Sequence, residues 1–345
     1  MKNKEITLVV LCILVVTMLT GCYHDIATRT DFVMDTVATI TVYGTKNQAP
    51  LDNAFNAIKT CDSQWNAFDP ESEISKINAN AGKGPTTVSD DTYNLIKSSL
   101  HDCEATDGAL DITIGPLVNL WQIEEPETKE PPNAKSVQEA KDLVDYHNVQ
   151  LDDNARSVFL TKPGMAINLG SVAKGAAADL VRNDLEKENM TRGVVNLGGN
   201  VVLIGKKNFA ESFRVQVEDP FEPDKKALGI LSLEDKSVVT SGDYRRYFTD
   251  SSGKRYHHIL DPKTGYPAEN DLCQVTIIGD KSMECDALST ALFVMGSEKA
   301  KDYALSNGIS AILVTKNRNV WVSKNLKKCF ETSSSEMSGY HINYF

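Results

Sequence analysis

The sequence has no excess of positive charge. Its 345 residues include 36 Lys and Arg against 47 Asp and Glu, so the formal net charge is −11. Nucleic acids and anionic bilayers are bound largely through basic surfaces, and we therefore expect no nucleic-acid partner. Any phosphate group that binds here must be held locally, by a metal ion, by backbone N–H groups or by a few placed cations.

Several common site motifs are also missing. The seven cysteines form no CxxC pair and no Cys/His spacing typical of a metal site. The glycine-containing segment 168–175 has neither the Walker A spacing nor the GxGxxG pattern. There is no repeat of fixed period and no long low-complexity linker, and the hydrophobic fraction of 41% is that of an ordinary globular protein. The chain is long enough for one large domain or two smaller ones.

The first residues have the layout of a secretion signal. Two lysines precede an apolar run over residues 6–19, which is short for a membrane span and ends in the letters LTGC at Cys22. Small residues before a cysteine are typical of a bacterial lipobox, in which the cysteine is acylated. We predict a lipoprotein signal peptide over 1–21, lipidation of Cys22, a tether over 22–30 and an extracytoplasmic, membrane-anchored location. A plain secretory signal and an uncleaved anchor stay open.

Removal of the signal and lipidation of Cys22 leave five cysteines. An odd number outside the cytoplasm leaves at least one free thiol. A disulfide between Cys61 and Cys103 stays open, and the alternative is that these side chains are small buried hydrophobes.

Hydrophobic patterning predicts strands that alternate with helices. Ser136 with Glu139 resembles a capping box, and Ser171 is a plausible N-cap. The pattern favours a mixed α/β or α+β architecture with a polar, mobile end. It predicts helices over 51–65, 89–106, 171–189, 282–295 and 298–306, strands over 32–43, 274–279, 309–315 and 320–323, further strands within 150–158 and 194–239, and an exposed loop over 124–132.

Two glycine-containing segments have the composition of ligand-binding turns. In the segment 168–175, helix N-terminal N–H groups and Lys174 suit an anion such as phosphate. In the segment 196–200 (NLGGN), paired glycines let the backbone approach a ligand closely. The alternatives are a tight strand-to-helix connection and a simple turn.

Two further segments carry groups for acid–base and metal chemistry. The pair His257-His258 stands beside Asp261, which suits a general base and its orienting partner, although such pairs are often only partly exposed surface residues. Asp286 and Thr290 are four residues apart on a predicted helix and share a face, so they form a hard oxygen pair suited to Mg²⁺. The alternative is a solvated Asp286 and a Thr290 hydroxyl bonded to its own helix.

Taken together and in order, these segments resemble the FAD:protein FMN transferases, the ApbE-type flavin transferases. The resemblance spans about residues 31–325. Its motifs are FVMDTV at 32–37, NAFDPESEISKIN at 66–78, GALDITIGPLVNLW at 108–121, the helix start 171–179, NLGGN at 196–200, TSGDYRRY at 240–247, HHILDPKTGYP at 257–267 and DALSTALFVMG at 286–296.

The resemblance implies an α+β fold with mixed sheets and packed helices, the ApbE-like, T-fold-related flavin transferase fold. It implies a catalytic domain over 31–330, with a mobile tail over 331–345. The implied reaction is Mg²⁺-dependent transfer of FMN from FAD to a Ser or Thr hydroxyl of a target flavoprotein of a respiratory or electron-transfer chain, with release of AMP. An extracellular FAD pyrophosphatase and a flavin-capturing lipoprotein without turnover are the alternatives.

The resemblance also assigns residues to roles. His258 is the candidate base, and Asp261 is expected to orient it or to act electrostatically. The metal positions fall on Ser171 (through its backbone oxygen), Asp286, Ser289 and Thr290. The flavin contacts fall on Met34, Phe68, Ala109, Leu110, Asp111, Asn168, Lys174 and Leu260.

This chain departs from the family pattern at three positions. Asp35 and Gln122 stand where Gly is usual, and Asn168 replaces a commoner Asp, which removes a negative charge beside the diphosphate. The aromatic Phe68 is expected to favour transfer over hydrolysis, because it covers the site against water.

Overall fold

Strands alternate with helices along the described residues of the computed structural model, which are 25–123, 130–208, 211–332 and 339–345. The described helices are α1 Ala49–Trp65, α2 Glu73–Ala79, α3 Asp90–Ala105, α4 Gly115–Trp121, α5 Ala134–Lys141, α6 Ala173–Lys187, α7 Ser282–Met295 and α8 Ser297–Asn307. The described strands are β1 Ile26–Val33, β2 Thr36–Tyr43, β3 Thr86–Thr87, β4 Val149–Asp152, β5 Ser157–Leu160, β6 Gly193–Leu197, β7 Asn200–Ile204, β8 Phe213–Glu218, β9 Ala227–Leu233, β10 Ser237–Gly242, β11 Tyr247–Thr249, β12 Arg255–His257, β13 Leu272–Gly279, β14 Ser310–Thr315, β15 Asn319–Val322, β16 Phe330–Thr332 and β17 His341–Tyr344.

The largest sheet has nine strands in the order β1-β2-β6-β7-β10-β13-β14-β15-β17. Its neighbours are antiparallel except β15 and β17, which pair in parallel. The smaller sheets are β8-β9-β16, β3-β4-β5 and the β11-β12 hairpin. Mixed sheets with packed helices confirm the predicted α+β fold.

The core lies on both faces of the large sheet. Strand β13 is buried along nearly its whole length, as its apolar sequence LCQVTIIG predicts for a central strand. Helices α1, α6, α7 and α8 cover one face, and side chains of β8, β9 and β16 pack against the other. Because α7 lies over β10 and β13, it is fixed to the middle of the sheet.

The prediction of one strand over 32–43 is wrong. The chain turns back at Met34 and Asp35, whose φ angles of 51° and 55° close a two-residue hairpin between β1 and β2. The Met34 N–H donates to Asp62 Oδ2 at 3.2 Å, which fixes the turn against α1. Residues 26–30, predicted as part of a tether, instead belong to strand β1. The signal peptide 1–21 and Cys22 lie outside the described residues.

The described part of the predicted mobile tail 331–345 is ordered into strands. Residues 341–344 add β17 to the edge of the large sheet, and the Phe345 N–H donates to Val322 O at 3.1 Å. The Tyr340 hydroxyl donates to Asp219 Oδ1 at 2.5 Å. These long-range contacts order a segment whose local composition is polar.

Neither of the two predicted helix caps is formed, and Cys61 and Cys103 form no disulfide. Asn133, rather than Ser136, caps α5, and its side chain accepts from the Ser136 N–H at 3.0 Å. Helix α6 begins after Val172 without a side-chain cap of its own, so Ser171 is not its N-cap. Cys61 and Cys103 are buried free thiols.

Candidate active site

The centre of the candidate site is the place where α6 and α7 meet. Asp286 of α7 is 4% exposed, and its Oδ2 accepts a hydrogen bond of 3.0 Å from the Gly175 N–H in the first turn of α6. Burial raises the pKa of Asp286, while Lys174, Gly175 and Asn200 oppose that rise. The alternative of a solvated Asp286 is therefore wrong: the carboxylate is buried at a helix N-terminus.

Three hydroxyl groups lie close together near the backbone of Asp286. Ser289 Oγ is 2.7 Å from Ser241 Oγ and donates to Asp286 O at 2.9 Å. Ser241 Oγ is also 3.5 Å from Thr290 Oγ1. The Ser289 hydroxyl therefore bonds its own helix, whereas the Thr290 hydroxyl faces strand β10. Ser241 has no role in the sequence-based prediction, although it lies in the motif TSGDYRRY.

The donors at this junction fit a small hard cation. They are one carboxylate and neighbouring hydroxyls, all oxygen ligands of the kind that Mg²⁺ accepts. Among the residues that the structure describes, no three His, Cys, Asp or Glu side chains lie close enough to chelate a metal on their own. A cation here would therefore need further oxygen ligands from water or phosphate.

The turn before α6 is held by hydrogen bonds, one of them from Lys174 in the first turn of the helix. Asn168 Oδ1 accepts from the Gly170 N–H at 2.9 Å, and Lys174 Nζ donates to Gly170 O at 3.1 Å. Ser171 is half-buried in this turn. Burial raises the pKa of Asp286, and the charge of Lys174, which precedes Gly175 in the chain, opposes that rise.

The two adjacent histidines have different environments. His257 is buried, with Nε2 donating to Ala268 O at 3.1 Å and Nδ1 accepting from the Ile259 N–H at 3.3 Å. Both ring nitrogens are thus used within the fold, and burial lowers the pKa of His257 to about 4. His257 is therefore a structural residue.

His258 is half-buried and is oriented by a backbone carbonyl. Its Nδ1 is 3.3 Å from Arg246 O, and since a carbonyl only accepts, this contact assigns the proton to Nδ1 and leaves Nε2 as the basic nitrogen. Desolvation, with the charge of Arg246, lowers the pKa of His258. Asp261 Oδ1 accepts from the Lys263 N–H at 2.8 Å within a turn, and its expected role, to orient His258 or to act electrostatically, stays a prediction.

The predicted flavin contacts are partly buried within the fold. Ala109, Leu110 and Leu260 are buried, whereas Phe68 is 63% exposed. Asp111 Oδ1 accepts from Thr113 N and Oγ1 at 2.8 and 2.6 Å, and its Oδ2 accepts from Tyr146 N at 3.1 Å. These bonds make the Asp111 side chain an organiser of its own loop.

Hydrogen bonds and close contacts join the segments that the sequence analysis singled out. The Asn78 side chain bonds both N–H and C=O of Ile167, at 2.7 and 3.0 Å. The Asn168 N–H donates to Ile112 O at 2.8 Å, and Trp121 Nε1 donates to Gly265 O at 2.8 Å. The Gly198-Gly199 turn packs against Thr36, where a Cβ on Gly198 would lie 2.1 Å from Oγ1. The fold thus brings segments that are distant in sequence into contact with one another.

This fold is shared with solved flavin transferases. The crystal structure of the ApbE protein from Thermotoga maritima matches with a TM-score of 0.81 at 33% identity, over 88% of this chain and 99% of that one. The flavin transferase ApbE from Vibrio cholerae matches with a TM-score of 0.80 at 26% identity, over 88% and 99%. The fold and the site together define an enzyme of the transferase class.

The chain belongs to the ApbE family, whose model matches residues 34–313. The FAD:protein FMN transferase of Klebsiella pneumoniae (strain 342) is 36% identical over 297 residues, which are 86% of this chain and 90% of that protein. The FAD:protein FMN transferase of Haemophilus influenzae is 32% identical over 283 residues, 80% and 82% of the two chains.

Proposed function

We propose that this protein transfers FMN from FAD to a Ser or Thr hydroxyl of a target flavoprotein, with release of AMP, and that the reaction depends on Mg²⁺. Relatives named FAD:protein FMN transferase support the reaction class. The observation that carries the proposal is the buried Asp286 carboxylate at the N-terminus of α6, with Lys174 and the Thr290 hydroxyl beside it.

The chain's own groups are suited to hold the diphosphate of FAD. The first turn of α6 presents N–H groups and the positive end of the helix dipole, and Lys174 adds a full charge within one turn. Asp286, Thr290 and Ser289, with the backbone oxygen of Ser171, would hold the Mg²⁺. When bound, Mg²⁺ neutralises charge on the diphosphate and on the transferring phosphoryl group.

His258 is the group that would take the proton. The acceptor hydroxyl oxygen forms a bond to the phosphorus that carries the riboflavin, and the bond from that phosphorus to the bridging oxygen breaks. AMP leaves with the bridging oxygen, and the hydroxyl proton passes to Nε2 of His258. The Arg246 carbonyl holds the His258 ring in the required tautomer. The lowered pKa of His258 keeps Nε2 unprotonated at neutral pH.

The sequence supports a lipid-anchored location on the extracytoplasmic face of a bacterial membrane. Strand β1 begins at Ile26, four residues after the predicted acylation site Cys22. An extended chain of four residues spans at most about 14 Å, so the catalytic domain would lie next to the bilayer. Within the described residues, none of the helices combines the length and apolar character needed to cross a membrane. The acceptor would then be a flavoprotein of a respiratory or electron-transfer chain, exposed on the same face.

Intact mass spectrometry of a candidate acceptor domain tests the proposal. The protein is incubated with FAD and the acceptor, with Mg²⁺ or with a chelator, and AMP is measured in parallel. The proposal expects a Mg²⁺-dependent mass gain of one FMN on a Ser or Thr, together with AMP. Free FMN with AMP and no adduct would instead indicate a FAD pyrophosphatase. Retention of FAD without AMP would indicate a flavin-binding lipoprotein.

A further inference from the structure

Helices α6 and α7 both begin without a cap from their own sequence. The residues that precede them are Val172 and Lys281, and neither side chain accepts a hydrogen bond from a backbone N–H in the first turn of the helix. The first N–H groups of a helix have no partner within the helix and need an acceptor when they are buried. Other parts of the chain must therefore supply acceptors at this junction.

Each helix supplies a carboxylate to the start of the other. Asp179 of α6 accepts from the Ser282 N–H at 2.8 Å and from the Met283 N–H at 2.9 Å, which are the first two residues of α7. Asp286 of α7 accepts from the Gly175 N–H of α6 at 3.0 Å. We call these three hydrogen bonds the cross-helix cap. Asp179 lies four residues after Gly175, and Asp286 lies four residues after Ser282, so the arrangement is reciprocal.

The two helices touch backbone to backbone within this cap. A Cβ placed on Gly175 would lie 2.4 Å from Ser282 O and 2.7 Å from Met283 Cα. Contacts this close leave no space for side-chain rearrangement to absorb a movement of α7. A shift of the first turn of α7 would therefore be passed on to Asp286, one turn later.

We infer that Asp179 is a positioning residue of the candidate metal site. By holding the first turn of α7, it sets the position of Asp286, whose Oδ2 accepts from the Gly175 N–H and whose carboxylate is the proposed ligand for the cation. Asp179 itself is turned to the backbone of α7, so it acts through Asp286 and does not touch the substrate. This inference rests on the proposed function, because it assumes that Asp286 binds a divalent cation.

The experiment compares Mn²⁺ binding, followed by electron paramagnetic resonance, in the wild type and in Asp179→Ala and Asp179→Asn. Binding is measured with Mn²⁺ alone and again with FAD. Changes to carboxylates that orient metal ligands typically weaken metal affinity about 10- to 100-fold, and we expect a loss of that size for Asp179→Ala. Asp179→Asn keeps one acceptor oxygen and has the same shape, so we expect a smaller loss.

Asp271 offers a matched control. Its carboxylate also caps a helix from outside that helix, accepting from Ser297 N at 3.0 Å and from Ser297 Oγ at 2.5 Å at the start of α8. Asp271→Ala should lower the melting temperature as Asp179→Ala does, but it should keep the wild-type affinity for Mn²⁺. Equal affinities in the wild type and in both Asp179 variants would overturn the inference.

Failure of the proposed function has a different signature. In that case the wild type itself binds no Mn²⁺ under either condition and releases no AMP, so the loss does not depend on the variant. If Asp179→Ala does not fold, the comparison is made with Asp179→Asn against Asp271→Asn, and the same criterion of affinity applies.

Discussion

Gly175→Ala tests whether the contact between α6 and α7 sets the geometry of the site. The new methyl group would lie 2.4 Å from Ser282 O and 2.6 Å from Ser282 C, so the helices must separate by about 1 Å to reach ordinary van der Waals distance. Overpacking of this kind costs about 1–3 kcal/mol. Alanine recovers about 1 kcal/mol of that through its helix propensity, since Gly175 is a helical residue without a positive φ.

The net effect on stability is therefore small, roughly 0–2 kcal/mol of unfolding free energy, or a fall of only a few degrees in melting temperature. The effect on the reaction is expected to be large. A displacement of about 1 Å in a group that positions the substrate can cost about 100-fold in rate. The Gly175 N–H is bonded to Asp286, so the variant moves the carboxylate on which the proposed chemistry depends.

The assay is AMP release from FAD with Mg²⁺ and an acceptor domain, with thermal unfolding measured on the same samples. Gly84→Ala is the control, because a Cβ on Gly84 meets no atom within 4 Å and the residue has no positive φ. Wild-type AMP release by Gly175→Ala would refute the reasoning. A fall of more than about 10 °C in melting temperature would also refute it, because activity would then be lost through unfolding.

Three further predictions follow from the site. Asp286→Asn should abolish AMP release. It should leave the melting temperature unchanged or higher, because burial opposes the charged carboxylate and the amide oxygen still accepts from the Gly175 N–H. If the variant keeps its turnover, Asp286 is not part of the site. His258→Gln should lower kcat for FMN transfer by about 100- to 10,000-fold. Asp261→Asn should lower kcat less than tenfold, because Asp261 Oδ1 is bonded within its own turn; similar losses in both variants would show that Asp261 orients His258. His257 should make the protein less stable in acid. Its folded pKa of about 4 lies below the unfolded value of 6.5, so the unfolded state binds the proton first as the pH falls. The stabilisation that is present above pH 6.5 is then lost between pH 6.5 and 4, by about 3 kcal/mol, and His257→Gln should flatten this part of a urea-unfolding pH series.

Local pattern was enough to predict most helices of the fold. Apolar residues at helical spacing predict a helix over 51–65, and α1 spans Ala49–Trp65. The predicted helix over 282–295, ended by Gly296, matches α7. These predictions succeed because helical periodicity and C-terminal glycines are properties of neighbouring residues. The strand predicted over 32–43 fails because Met34 and Asp35 take left-handed turn conformations, while the β-branched and apolar residues on both sides of them continue the strand pattern.

The sequence predicted several residues of the candidate site, but it did not predict how they are arranged in space. Composition and spacing singled out Asp286, Thr290 and Lys174, and the structure places them together. Sequence spacing could not show that Asp286 bonds Gly175, because those two residues are 111 positions apart. For the same reason Ser241, which is 48 positions from its partner Ser289, received no role.

The amino-acid sequence by itself determined the order of the motifs, the family resemblance, the amphipathic helices and the acidic charge. Tertiary structure decided which histidine is buried within the fold, that the Arg246 carbonyl bonds the ring of His258, and that the C-terminal residues complete a sheet edge. The physical reason is that periodicity and turn chemistry depend on residues a few positions apart. Caps between helices, burial of a carboxylate and the tautomer of an imidazole depend on groups that only folding brings into contact.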